Sequence, residues 1–191
     1  NDKTKTMVTD GQAIYYNSDY VNKQEDAILE SLLAHETDHI ACEHVWRCGG
    51  RNLARWNRAC DYVVNLHLVD AGMTLWPGAR YDTQYRGMPA EQVYRLLPAD
   101  ATDNQPGPSD DQPGGMLPPT TPGGKSATQS DLEQMIQDNE ISVFQAASVA
   151  AKAGKLPGAG KETVKKFRHQ PDNWISELMQ FCQSSLASTR F

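Results

Sequence analysis

Hydrophobic side chains recur at helical spacing along much of the chain and predict a mainly helical protein. The apolar stretches with this spacing are residues 27–34, 56–68, 89–97, 132–150, 161–168 and 173–186. Pro89 opens the third stretch, in a position that proline favours at the start of a helix. The first two stretches are the most continuous, so we expect both to be core helices.

Turn signals set the expected limits of these elements. Residues 12–16 follow an Asp-Gly pair and contain β-prone side chains, which predicts a short strand. Residues 1–8 are polar, and we expect them to be loose. The paired Gly49 and Gly50 predict that the first helix ends after Cys48. Together these patterns predict an α+β fold that is mainly helical, with a short strand or small sheet.

Residues 99–128 differ in composition from the rest of the chain. They hold more than half of its 11 prolines, are rich in Gly, Asp and Thr, and contain almost no large apolar side chain. Such a segment cannot bury enough surface to order itself, which predicts a flexible linker or loop. We therefore predict a core domain at 1–98 and a helical segment at 129–191 that packs on the core or docks a partner.

Charge and composition limit the class of partner. The 191 residues include 18 basic and 24 acidic side chains, a net charge of −6, which gives no electrostatic attraction to nucleic acid. No apolar run approaches the roughly 20 residues of a membrane helix, and nothing resembles a signal peptide, so we expect a cytoplasmic protein. The four cysteines form no C-x-x-C pair, which favours reduced thiols and leaves a Cys42–Cys48 bridge open.

Metal-binding chemistry is indicated by His35-Glu36-Thr37-Asp38-His39, an H-E-x-x-H sequence within the first predicted helix. The two histidines are about one helical turn apart, so both imidazoles can reach one metal ion. Glu36 lies about 100° around the helix, where its carboxylate can take a proton from water. This spacing is typical of zinc sites, and we expect Zn²⁺ as the cofactor.

A catalytic zinc takes three protein ligands, and Asp61 is the candidate for the third. It lies within the second apolar stretch, where a buried carboxylate is rare unless it is paired or bound to a metal. Asn65, one turn later, and Glu43 are candidates to orient a ligand. The alternatives are an ion pair of Asp61 with Arg55 or Arg58, and His67 as the reserve ligand.

His44 is a less suitable ligand on geometric grounds. On an uninterrupted helix it lies about 140° from His39 and about 180° from His35, so it faces away from the metal. We therefore expect His44 to be a packing or surface residue.

Five motifs together resemble one known family. They are Thr9-Asp10-Gly11, Ile14-Tyr15-Tyr16-Asn17, Ala34-His35-Glu36-x-x-His39, Trp56-Asn57-x-Ala59-x-Asp61-Tyr62-x-x-Asn65 and Tyr85-x-Gly87-Met88-x-Ala90-Glu91-x-x-Tyr94. In this order and spacing they resemble the metallopeptidase domain that is found next to a von Willebrand factor A-like domain in bacterial and phage proteins. The motifs span residues 9–97, about half of the chain.

The resemblance implies a zincin-like, zinc-dependent peptidase fold that is often encoded beside a MoxR-type ATPase. Carried over by position, it makes His35 and His39 metal ligands and Glu36 the catalytic group. Asp61 matches the aspartate of the family's tryptophan-asparagine motif.

Three hypotheses for function result. The leading one is a zinc metallopeptidase acting on a peptide or protein, with Glu36 as general base. Tyr85, preferred over Tyr81 on the resemblance alone, would stabilise the oxyanion, and the strand at 12–16 either binds the substrate backbone or only closes the core. The alternative is a catalytically silent, metal-containing interaction module that works with a partner ATPase. The third hypothesis is a helical protein without a metal.

Overall fold

The computed structural model describes residues 4–99, 113–121 and 125–154. Its strands are β1 (Met7–Thr9), β2 (Ile14–Tyr16) and β3 (Gly115–Met116). Its helices are α1 (Ser18–Val21), α2 (Asp26–Ala41), α3 (Leu53–Asp70), a 3₁₀ turn (Thr83–Tyr85), α4 (Ala90–Leu96) and α5 (Gln129–Lys152). The predicted class, α+β and mainly helical with a small sheet, is confirmed.

The chain divides into two compact units, Asn1–Glu140 and Ile141–Phe191, and the site described below lies in the first. The helices predicted at 161–168 and 173–186 lie outside the described residues. Within the described residues, no helix has the length and apolar composition needed to cross a membrane.

The sheet has the order β2-β1-β3, with β1 antiparallel to β2 and parallel to β3. The turn between β1 and β2 is held by Asp10, whose Oδ1 accepts from the backbone N–H of Gln12 and of Ala13 at 3.0 and 2.9 Å. The expectation that residues 1–8 are loose is wrong for Met7 and Val8, which are buried in the central strand, while residues 1–3 lie outside the described residues. The apolar contacts of Met7 with Leu32 of α2 and Val64 of α3 outweigh the polar character of the residues before it.

Strand β3 lies inside the segment that composition predicts to be a linker. Gly115 and Met116 pair with Val8 and Thr9 of β1. The Met116 side chain is buried, and its backbone N–H donates to Oδ1 of Asn57 on α3 at 3.0 Å. This part of the linker segment is therefore ordered between β1 and α3, while the domain division at residues 98 and 128 stays a prediction.

Helix α2 ends earlier than the glycine signal predicts. Its last residue is Ala41 rather than Cys48, and Glu43 has a left-handed backbone with φ of 59°. A non-glycine residue rarely adopts this conformation. The chain consequently turns sharply after α2, and the N–H of His44 donates back to the carbonyl of His39 at 3.0 Å.

Helix α3 contributes side chains to both apolar clusters of the first unit. It begins after Asn52, whose side-chain oxygen accepts from the N–H of Arg55 at 2.9 Å, as a helix N-cap does. Two apolar clusters share this helix. One contains Trp56, Val63 and Leu66 of α3 with Val93 of α4 and Met116 of β3, and the other contains Val64 and Leu68 of α3 with Leu32 of α2, Met7 of β1 and Trp76. Burial of each large side chain contributes about 1.5–3 kcal/mol, so these clusters fix α2 against α3.

Candidate metal centre

Helix α2 places His35 and His39 one turn apart, with both side chains completely buried. Their Nε2 atoms face each other at 2.9 Å, and their ring centroids are 4.5 Å apart. Trp76 packs edge-on against His35, with the two ring centroids 5.1 Å apart. The two histidines therefore present their Nε2 atoms to one point in the buried interior.

Asp61 of α3 reaches the same point. Its Oδ1 lies 3.6 Å from Nε2 of His35 and 3.4 Å from Nε2 of His39, and the side chain is buried. Its other oxygen, Oδ2, accepts from Nη1 of Arg80 at 3.1 Å. The structure thus brings together the three predicted ligands, and it identifies Arg80, which the sequence analysis did not consider, as an ion-pair partner of Asp61.

Asn65 fixes which nitrogen of His35 carries a proton. The Asn65 amide nitrogen donates to the backbone carbonyl of Arg80 at 2.8 Å, so the amide oxygen is the atom that faces His35. This oxygen lies 2.9 Å from Nδ1 of His35, and an amide oxygen can only accept. Neutral His35 therefore carries its proton on Nδ1 and directs the lone pair of Nε2 into the cluster.

His44 lies beside Nδ1 of His39, as Asn65 lies beside Nδ1 of His35. Its Nδ1 lies 3.2 Å from Nδ1 of His39, and the side chain is 1% exposed. Burial, and then the neighbouring His39, hold the pKa of His44 well below its ordinary value. A neutral His44 can accept from Nδ1–H of His39, which leaves the lone pair of Nε2 of His39 for the cluster.

The prediction that His44 faces away from the site is therefore wrong. It assumed that α2 continues past Ala41, whereas the left-handed turn at Glu43 reverses the chain. Glu43 itself lies in this turn and is partly buried. The residue that contacts His39 is His44, and a role for Glu43 in orienting a ligand stays a prediction.

Glu36 is completely buried next to the cluster. Among the described residues, neither of its carboxylate oxygens accepts a hydrogen bond. Burial raises the pKa of Glu36 well above its ordinary value, the charge of Asp61 raises it further, and the nearby backbone N–H of Gly114 opposes both effects. A buried, unpartnered carboxyl group is costly for the fold, which indicates a function other than stability.

Gly114 lies directly in front of His35. A Cβ atom at this position would be 2.2 Å from Nε2 of His35, and the backbone has φ of +97°, which side chains rarely tolerate. The residue precedes β3, and its N–H donates to the carbonyl of Met7 at 3.3 Å. Because glycine has no side chain, the backbone at residue 114 can lie this close to Nε2 of His35.

The protonation states of the cluster follow from its burial and charges. Burial, and then the neighbouring His35, lower the pKa of His39, while Asp61 acts in the opposite direction. Burial alone would raise the pKa of Asp61, but the facing imidazoles of His35 and His39 outweigh this effect, and the net pKa is lowered. The ionised Asp61 and neutral His39 are the protonation states that bind a metal ion.

Two further candidates from the sequence lie elsewhere. Tyr85 is buried in the apolar cluster beside α3, with its ring 4.8 Å from that of Tyr62. The geometry gives it a packing contact, and its role as oxyanion donor stays a prediction. His67, the reserve ligand, is 45% exposed and forms an ion pair with Asp38 at 2.8 Å, so it lies outside the buried cluster.

A mainly helical α+β fold with two buried histidines, a buried aspartate and a buried glutamate on one helix pair defines a candidate metal-binding protein of the H-E-x-x-H type. The comparison with known families agrees with this class. The chain belongs to the family whose model is described as "Putative metallopeptidase domain", and the model matches residues 1–190. Neither a curated protein nor a solved structure matches the chain. The predicted association with a von Willebrand factor A-like domain stays a prediction.

Proposed function

We propose that this protein is a zinc-dependent peptidase that hydrolyses peptide bonds. The observation that carries the proposal is the convergence of Nε2 of His35, Nε2 of His39 and Oδ1 of Asp61 beside the buried Glu36 carboxyl group. Membership in the metallopeptidase family supports the same class of reaction. The peptide substrate and the identity of the metal are part of this proposal.

Three observations support the fit of a metal ion to these residues. The three donor atoms lie within 4.8 Å of one another. Within the described part of the chain, Oδ1 of Asp61 is buried without a hydrogen-bond partner, so an acceptor with a negative charge is left for a cation. The third is that Gly114 puts no side chain against Nε2 of His35, where a Cβ atom would lie 2.2 Å away. Two imidazoles and one carboxylate match the donors that zinc prefers in catalytic sites.

When bound, zinc supplies a Lewis acid that polarises the scissile carbonyl and lowers the pKa of water. The protein residues supply the proton transfers and the geometry. Glu36 takes the proton of the attacking water and delivers it to the leaving amine. Burial, with the charge of Asp61, raises the pKa of Glu36, which is the direction that makes a carboxylate a stronger base.

The histidines act as ligands because a hydrogen bond at Nδ1 of each ring fixes its tautomer. Asn65 accepts from Nδ1 of His35, and His44 accepts from Nδ1 of His39, at 2.9 and 3.2 Å. Both supporting groups are neutral, so they orient the rings without adding negative charge to the centre. Arg80 holds Asp61 through Oδ2 and so leaves Oδ1 directed at the two imidazoles.

The decisive test compares Glu36→Gln with the wild-type protein. The variant keeps the size and the burial of the side chain but removes the base, so we expect unchanged zinc content and loss of hydrolysis of a quenched fluorescent peptide library. Glu30→Gln, at an exposed position on the same helix, is the matched control and should keep full activity. Full activity in Glu36→Gln would refute the proposed mechanism.

A second candidate function is favoured by the position of β3. Residues 113–116 are buried and Gly114 lies against His35, so the chain's own backbone covers part of the centre. This arrangement suits a catalytically silent, metal-containing interaction module, with a MoxR-type ATPase as the proposed partner. The two functions differ in one outcome: a silent module binds zinc but hydrolyses no peptide in either the wild-type protein or Glu36→Gln.

A further inference from the structure

A second group of potential ligands lies on a different face of the α2–α3 pair. It consists of Asp38 and Cys42 at the C-terminal end of α2 and His67 near the end of α3. Nδ1 of His67 lies 2.8 Å from Oδ2 of Asp38, and Sγ of Cys42 lies 3.7 Å from Oδ1 of Asp38. One ligand atom from each residue falls within 4.8 Å of the other two.

Helix geometry accounts for the convergence. Asp38 and Cys42 are four positions apart, so their side chains lie on one face of α2, and His67 approaches from the neighbouring helix. Ligand atoms around a tetrahedral zinc are separated by roughly 3.2–3.6 Å, given Zn–S and Zn–N or Zn–O distances of about 2.3 and 2.0–2.2 Å. The two separations above involve different oxygens of Asp38, Oδ2 toward His67 and Oδ1 toward Cys42, and one ligand atom of each residue lies within 4.8 Å of the other two, so side-chain rotations would complete the site.

This group is separate from the buried centre. Asp38 precedes His39 in sequence, but successive residues on a helix point about 100° apart, so the two side chains leave α2 in different directions. The ligands of the buried centre are 0–3% exposed, whereas His67 and Asp38 are 45% and 26% exposed. Asp38 and His67 are therefore open to solvent and to ions, while Cys42 is partly buried beside them.

We propose that Asp38, Cys42 and His67 form a second binding site for a zinc-like divalent cation. A thiolate, an imidazole and a carboxylate are a donor set that suits zinc and disfavours Mg²⁺ or Ca²⁺. Binding forms a metal–sulfur bond, the thiol proton of Cys42 passes to solvent, and no oxidation state changes. Since the ligands come from α2 and α3, occupation links the two helices that carry the buried centre and stabilises the folded chain.

Cobalt titration of the full chain tests this site without reference to activity. Co²⁺ bound to a thiolate gives a strong sulfur-to-metal absorption in the near ultraviolet, which the buried His₂-Asp centre lacks. We expect this absorption in the wild-type protein and in the His35→Ala/His39→Ala double variant. We expect it to disappear in Cys42→Ser and to persist in Cys48→Ser and Cys182→Ser, which are the matched controls.

His67→Ala provides a second test that does not depend on the stability of Cys42→Ser, because the side chain is exposed. We expect it to weaken cobalt binding at least tenfold, and Zn²⁺ to slow alkylation of Cys42 in the wild type but not in this variant. Loss of the absorption in Cys48→Ser or Cys182→Ser, with the absorption kept in Cys42→Ser, would overturn the proposal. So would cobalt affinity that is unchanged in His67→Ala, or no thiolate absorption in the wild type.

Discussion

Nδ1 of His44 lies 3.2 Å from Nδ1 of His39, so one imidazole supports another within the buried centre. We expect His44→Ala to weaken zinc binding about ten- to a hundredfold, because His39 loses the acceptor that fixes its tautomer. Competition with a chromophoric chelator measures this affinity. His44→Asn, whose amide oxygen can stand near the position of Nδ1, should recover most of it. Equal affinity in His44→Ala and the wild type would show that His44 only packs.

Asn65 gives a parallel prediction for His35. Asn65→Ala removes the acceptor at 2.9 Å from Nδ1 of His35, and we expect a similar ten- to hundredfold loss of zinc affinity. Asn65→Asp keeps an oxygen toward His35 but cannot donate to the carbonyl of Arg80. We therefore expect Asn65→Asp to bind zinc within a few-fold of the wild type. A loss as large in Asn65→Asp as in Asn65→Ala would assign the effect to the Arg80 contact instead.

Gly114 allows a steric prediction with a matched control. Gly87→Ala introduces a side chain at a φ of +74° where no atom lies within 4 Å, so it costs only backbone strain of about 1–3 kcal/mol. Gly114→Ala introduces a comparable backbone strain and, in addition, a clash of the new side chain with His35. We therefore expect about 1–3 kcal/mol of further destabilisation, together with loss of zinc binding. Urea unfolding of both variants measures the difference. Equal destabilisation by the two substitutions would contradict the described position of β3.

A salt bridge between Arg47 and Glu91 connects the turn after α2 to α4, with 2.6 Å between Nη2 and Oε2. The two side chains are 35% and 25% exposed, so we expect a coupling free energy of about 0.5–1 kcal/mol at neutral pH. A double-mutant cycle of Arg47→Ala and Glu91→Gln by urea unfolding measures this coupling.

The same pair predicts a pH dependence. Burial alone would raise the pKa of Glu91, but hydrogen bonds from Arg47 outweigh it and the pKa is lowered. The folded-state pKa is thus below the unfolded one, so the stabilisation is complete above the ordinary pKa of glutamate and is lost as the pH falls through the lowered value. Repeating the cycle at increasing acidity should abolish the coupling. A coupling that persists in strong acid would mean that packing, rather than charge, links the residues.

Helical spacing predicted that the candidate ligands of the buried cluster lie close together, because this spacing depends only on helical geometry. His35 and His39, and equally Asp61 and Asn65, are one turn apart on their helices, so a correct helix assignment places each pair on one face. The bounds of α3 and α4 also agree with the prediction to within three residues.

The missed features depend on tertiary contacts. The turn that directs His44 to His39 requires a left-handed backbone at Glu43, which the residue type does not favour. Strand β3 has two residues in a segment rich in proline and glycine, so it has no periodic signal, and its partner lies far away in sequence. Arg80 reaches Asp61 from an irregular loop, where spacing gives no information about direction.

The parallel pairing of Val8 with Gly115 has a consequence for the order of folding. These residues are more than a hundred positions apart, and both helices of the metal centre lie within the loop that their pairing closes. Contacts between such distant positions carry a large entropic cost and form late. We therefore expect a newly made chain to assemble α2 and α3 while the space in front of His35 is still accessible. The metal ion would then enter during maturation, before β3 takes its place over the centre.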